Sequence, residues 1–264
     1  MTGTERVPGV RFPAGRCCIA PRPRRAAAIL LALGLAVLPR VAPAADGRVY
    51  LALDGGVQAG DFGTPARSSL YSVAPTLGYV AKDYDLSVTV PYLSLTQSAA
   101  GQSVTESGLG DIVARAGYML VAEREGGMSL NGALAVKLPT ADEAKGLGTG
   151  KADVGATLRL GQRLGPVRLS LLGGYIKVGD PAGQDYNDVY LYGVGASGTK
   201  GETGLYASLE GRRALVAGAD NPLEVRVGFF HLFGHRTAIR GTAFAGLNDG
   251  GPAYGASLGF VQWI

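Results

Sequence analysis

Hydrophobic and polar positions alternate along most of the chain, most clearly over residues 128–164. In 128–138, Met128, Leu130, Leu134, Val136 and Leu138 share one parity, while Ser129, Asn131 and Lys137 share the other. In 152–164, Val154, Ala156, Leu158 and Leu160 oppose Asp153, Thr157 and Arg159. Period two is the side-chain period of a strand. Runs of about ten residues are long enough to cross a bilayer at a tilt. Twelve such runs follow one another: 48–56, 69–81, 84–95, 111–122, 128–138, 152–164, 167–178, 188–198, 203–215, 223–233, 237–247 and 253–264. No amphipathic helix or domain linker reads between them.

The connections sharpen the prediction. Every second one is short: 82–83, 123–127, 165–166, 199–202 and 234–236. The others are mostly longer and more polar: 60–68, 96–110, 139–151, 179–187, 216–222 and 248–252. A soluble sandwich gives loop length no reason to alternate, whereas an outer-membrane barrel has tight periplasmic turns and longer extracellular loops. The expected fold is therefore all-β, a 12-stranded antiparallel transmembrane barrel in an up-and-down meander. Tyr71, Tyr79, Tyr92, Tyr118, Tyr175 and Tyr254 lie near strand ends, where interfacial aromatic girdles sit. In the last run Tyr254, Ala256, Leu258, Phe260 and Ile264 share a parity that Gln262 interrupts, and Trp263 falls on the other. This is an imperfect form of the terminal pattern used by the barrel assembly machinery.

The N-terminus changes the charge picture. Six arginines precede the apolar run 27–38, which leads to Ala42-Pro-Ala44, so residues 1–44 read as a signal peptide cleaved near Ala44 and 45–264 as the barrel. The chain has 25 Lys+Arg and 21 Asp+Glu, of which 1–44 hold 7 and 1, leaving 18 and 20 and a net charge of −2. A nucleic-acid reading based on basicity fails. Cys17 and Cys18 leave with the signal, so no thiol remains for a disulfide, metal or nucleophile. No later segment approaches 18 consecutive apolar residues, which excludes a helical membrane protein. The expected partners are outer-membrane lipid and a small-molecule solute in the bacterial outer membrane.

Ser107-Gly-Leu-Gly-Asp-Ile112 with Ala116-Gly-Tyr118, then Val136-Lys-Leu-Pro-Thr140, Asp142-Glu143, Lys145-Gly-Leu-Gly-Thr-Gly150 and Asp153-Val-Gly155, form a spaced series. Gly174-Tyr175 and Val178-Gly-Asp180 continue it. Over roughly 105–264 this series resembles the outer-membrane family named for the meta-cleavage pathway of phenol degradation. Ala141 stands where a glycine is common in that family. The resemblance implies a transporter, sometimes associated with uptake of aromatic compounds, with no catalytic residues to carry over.

If the apolar parity faces lipid, the polar parity lines the lumen. That face carries Arg115, Lys137 and Arg159 on successive strands, and Glu210, Arg212, Glu224, Arg226 and Arg240 further on. These charges suit a pore wall with one basic side, selective for anionic or aromatic-carboxylate solutes. Equally, they suit a structural network in which the glutamates pair with neighbouring arginines. In the loop 139–151, Asp142, Glu143 and Lys145 are candidates for a constriction, whether that loop folds inward or caps the outside. Its glycines precede a strand and lack Gly-Lys-Ser/Thr, so no nucleotide or other cofactor is expected. Asp180, Asp185 and Asp188 lack calcium-loop spacing, and no metal is expected. An embedded lipid-modifying enzyme needs a nucleophile, base and orienting group at one depth. The only histidines, His231 and His235, lie near one end with no serine two residues away, so the expectation is a channel and not an enzyme. A closed structural or adhesive barrel acting through its loops is the alternative.

Overall fold

The computed structural model describes residues 47–61, 66–99, 101–123, 127–181 and 183–264, so the signal-peptide reading of 1–44 falls outside the described residues. Fourteen strand segments occur: β1 (Arg48–Gly60), β2 (Arg67–Val80), β3 (Tyr84–Thr89), β4 (Tyr92–Ala99), β5 (Gln102–Leu109), β6 (Ile112–Val121), β7 (Met128–Leu138), β8 (Asp153–Leu164), β9 (Val167–Lys177), β10 (Val189–Lys200), β11 (Thr203–Arg212), β12 (Leu223–Phe233), β13 (Thr237–Gly246) and β14 (Tyr254–Trp263). Neighbours pair antiparallel, and β1 pairs with both β2 and β14, which closes the sheet. β3 and β4 are one stave, since both pair with β2, and β5 and β6 form the next, pairing with β4 and β3. The barrel is therefore twelve-stranded, as predicted.

The broken stave corrects one expectation. Residues 96–110 are not a loop; β4 and β5 form a long hairpin that continues the wall, in register from Tyr92↔Leu109 to Ala99↔Gln102. The break has a chemical cause. The Pro75 carbonyl accepts from Val90 N at 3.0 Å, so the edge of Pro75 that lacks an N–H faces this stave, and Pro91 lacks a donor too. The Pro91 carbonyl accepts from Gly110 N at 2.8 Å, so one donor is missing on each side of the stave, and β3 and β4 separate there. Serines and threonines hold the hairpin above: Ser94–Ser107, Thr96–Thr105 and Ser98–Ser103 pair at 2.9, 2.9 and 2.8 Å.

Polarity is inverted relative to a soluble protein. Leu134, Leu205 and Leu258 are 61, 64 and 62% exposed, whereas Asp153 and Glu224 are 4 and 2% exposed. Apolar side chains outside and buried carboxylates inside make sense only if the outer wall meets hydrocarbon. Tyr71 and Tyr79, both on that outer parity of β2, lie about 26 Å apart along a tilted strand. An apolar band is about 25 Å tall. Tyr79 neighbours Tyr84 at one girdle, and Tyr175 neighbours Tyr190 at the other, with ring centroids 5.9 and 5.3 Å apart. Leu258 sits mid-strand opposite Gly55 and Gly241. Leu258→Arg is expected to destabilise the inserted barrel by about 2–4 kcal/mol, read from urea unfolding in lipid vesicles. An unchanged midpoint would show that this face does not meet hydrocarbon.

Candidate functional site: the barrel interior and its inward loop

Five connections are short turns on the same end as both termini, the turn end; the opposite, loop end carries the long ones. At the loop end, β7 stops level with β6 (Ile112↔Leu138), so the far edge of β5 has no strand beside it. Loop 139–152 folds over this gap. Thr140 Oγ1 accepts from Ile112 N at 2.9 Å and donates to the Gly110 carbonyl at 3.1 Å, and Lys145 Nζ donates to the Ser107 carbonyl at 3.4 Å. The loop then turns inward. Leu147, 1% exposed, packs with Leu70, Leu93 and Leu95 on the inner face of the hairpin.

Lys137 anchors the same loop from below. Its ammonium lies 3.3 Å from Asp111 and 2.9 Å from Asp153, and donates to Thr149 Oγ1 at 2.9 Å. The Asp153 contact is an ion pair without hydrogen-bond geometry at Oδ2, while Asp153 Oδ1 accepts from Gly179 N at 3.0 Å. Asp111 also accepts from Ala141 N at 3.0 Å. Gly148 passes so close that a Cβ there would lie 2.8 Å from both Asp111 oxygens, which explains a glycine in this motif. Asp142 Oδ1 accepts from Ala144 N at 3.0 Å and caps the turn. Asp142, Glu143 and Lys145, the predicted constriction residues, are exposed, and the loop inserts Gly146–Thr149 instead.

The other predicted lumen charges lie on the inner parity, and most of them meet opposite charges. Arg115 pairs with Asp85. Arg212 reaches Glu224 at 3.1 Å, and Arg226 reaches Glu224 at 2.5 Å and Glu210 at 3.5 Å while lying 4.6 Å from the Phe244 ring. Arg240 holds Asp54 through two bonds of 2.9 and 2.6 Å. That pair spans Gly259, which lies between them in register, and a Cβ there would strike Asp54 Oδ1 at 2.1 Å. Inward glycines thus make room for ion pairs lying along the wall. Arg159 has no hydrogen-bond or ion-pair partner among the described residues.

The sequence reading missed Asp54, Asp85, Asp111 and Asp153 as partners. Their parity was visible, but pairing depends on register: Lys137 lies directly across from Asp153. It also missed the apolar part of the interior. At the turn end Tyr50, Ala52, Ala238, Val261 and Trp263 form a buried cluster. Together with the Leu147 cluster, this leaves a charged waist between two apolar zones. An apolar groove of about 550 Å³ lies elsewhere, on the outer wall, where Ala114 and Ala116 leave space between Val88 and Leu134. It belongs to the outward-facing apolar band, away from the charged waist.

Two sites outside the wall complete the electrostatics. Asp188 accepts from Tyr175 Oη at 2.5 Å, Val178 N at 3.1 Å and Lys177 Nζ at 3.2 Å, and these bonds, Tyr175 first, hold its carboxyl below the usual range. No group of three metal-ligating side chains occurs among the described residues. His231 Nδ1 lies 2.8 Å from Thr203 Oγ1. At the turn end Glu123 pairs with Arg163 at 2.8 Å and with Arg168. Burial works to raise the Glu123 carboxyl, but the Arg163 hydrogen bond and the Arg168 charge outweigh it and hold the group low. A depressed carboxyl stabilises the fold above its unfolded pKa, about 4.3. That contribution is lost as pH falls through the lower folded value. Glu123→Gln should therefore lower the urea midpoint at neutral pH, with a difference from wild type that closes on acidification. A difference independent of pH would refute the ion-pair account.

The geometry defines a closed membrane barrel with an ion-paired interior and one loop strapped to its inner wall. The chain belongs to the family described as "Putative MetA-pathway of phenol degradation", a model of which matches residues 47–263. Comparison with curated proteins finds no match. Among solved structures, an outer-membrane channel from Pseudomonas putida F1 superposes with TM-score 0.68 at 16% identity, covering 84% of this chain and 96% of that one. The transport unit of the autotransporter AIDA-I from Escherichia coli gives 0.53 at 10%, covering 89 and 94%. The β domain of the Bordetella autotransporter BrkA gives 0.51 at 15%, covering 83 and 99%. At these identities the likeness is one of fold.

Proposed function

We propose that the chain is a bacterial outer-membrane channel through which small solutes, aromatic or anionic ones among them, diffuse along the lumen. The observation that carries this is the inner wall of β8–β10. Its inward positions include the small residues Gly155, Thr157, Gly161, Ser170, Gly193 and Gly195, on staves across the barrel from bulky Tyr50 and Trp263. Twelve strands enclose a lumen between those of filled small barrels and open porins. The family and the P. putida fold support the same reading. Loop 139–152 narrows the outer mouth, and the paired charges hold the wall in shape.

The test is single-channel recording from refolded, inserted protein in a planar bilayer. Steady current that scales with salt is the expected result. The apolar clusters at both ends favour a second reading, a closed barrel acting through its loops. Silence from protein shown to be inserted would establish that second reading over the first.

A further inference from the structure

Six cations of the described inner wall lie between the two ends: Arg115, Lys137, Arg159, Arg212, Arg226 and Arg240. Five are matched by Asp or Glu within ion-pair distance. Arg48, at the turn-end mouth, donates to the His235 carbonyl at 3.3 Å. Only Arg159 among these has neither partner. Its surroundings make this costly, since burial removes it from water and Arg115 and Arg168 add positive potential, against the single opposing charge of Glu210.

Register shows what lies beside it. Asn131 is directly across from Arg159 on β7, and Leu172 is directly across on β9. Leu172 faces Gly193 on β10, which in turn faces Glu210 on β11. One lateral row therefore holds an amide, a guanidinium, an apolar side chain, a glycine and a carboxylate. Glu210 is rooted three strands away, roughly 14 Å along the wall. Its side chain leans over Gly193, where a Cβ would lie 3.0 Å from Glu210 Cγ, and Arg226 and Ser208 Oγ already engage it. A guanidinium offers a planar two-point match to a carboxylate, and an uncompensated one in a narrow lumen gains most from it.

We infer that Arg159 and Asn131 form a carboxylate-binding step in the lumen, taken by small monocarboxylates whose apolar body rests on Leu172. For passage this rests on the channel reading; for binding it does not.

Two experiments separate them. In a planar bilayer under a KCl gradient, Arg159→Gln should lower the chloride-over-potassium permeability ratio about fivefold, the scale of one poorly screened charge beside a protein wall. Arg159→Lys should keep most of the preference, and the paired neutralisation Asp54→Asn with Arg240→Gln, on the far wall, should leave it near wild type. In detergent micelles, equilibrium dialysis with benzoate should show binding that weakens about fivefold or more in Arg159→Gln, with no binding of neutral benzamide. Far-UV circular dichroism and gel mobility establish that each variant is folded. Wild-type affinity for benzoate in folded Arg159→Gln, or equal binding of benzamide, overturns the site. Benzoate binding by a wild-type protein that passes no current keeps the site and overturns the channel.

Discussion

Replacing Lys137 by methionine is expected to destabilise the barrel by about 3–5 kcal/mol, the cost of removing one partner from a buried charge cluster. Asp111 and Asp153 are nearly inaccessible, and Lys137 is the cation that both face. Without it, two carboxylates are left on the staves either side of β7 in a low-dielectric site, each with a backbone N–H from Ala141 or Gly179 as its remaining partner. Trp263, the single tryptophan, sits in the turn-end cluster and reports unfolding by fluorescence. The urea midpoint in lipid vesicles should fall, and adding Asp153→Asn should restore part of the loss, because neighbouring charges couple. Additive losses would show that the three side chains do not act as a unit.

Leu147→Ala is expected to cost about 2–5 kcal/mol if the site cannot collapse. The penalty should appear locally, as release of loop 139–152. Leu147 is its deepest apolar anchor, and Lys145 and Lys151 on either side are exposed. Trypsin should therefore cut the variant at these lysines faster than wild type. Under the channel reading, conductance should rise or flicker as the outer mouth widens. Wild-type protease resistance would show that the polar contacts of Thr140, Asp142 and Lys137 hold the loop unaided. The two variants together ask whether strapping and stability are one property: Lys137→Met strikes both, whereas Leu147→Ala should spare the global midpoint more than it spares the loop.

Much of this is legible in the sequence. Period-two runs and the alternation of short and long connections specify a twelve-stranded barrel, and the spaced glycine-rich motifs mark its family. Parity alone put Arg115, Lys137, Arg159 and the Glu210–Arg240 group on the inner wall, because a strand has two faces and one is closed to charge by the cost of burying it in hydrocarbon. Parity missed the β4–β5 hairpin, since serines and threonines fill its outer face and leave no apolar alternation to read.

What the sequence determined was which face each residue takes. What only the tertiary structure decided was who stands opposite whom. Lys137 meets Asp153 through the register of β7 and β8, and Arg240 meets Asp54 across 186 residues of chain. Register is a non-local quantity, fixed by closure of the whole sheet, and a slip of one residue would reverse every face. The same closure separates the neutralised cations from Arg159, and it carries Leu147 onto the inner wall through a gap that exists because β7 ends one hairpin below β5.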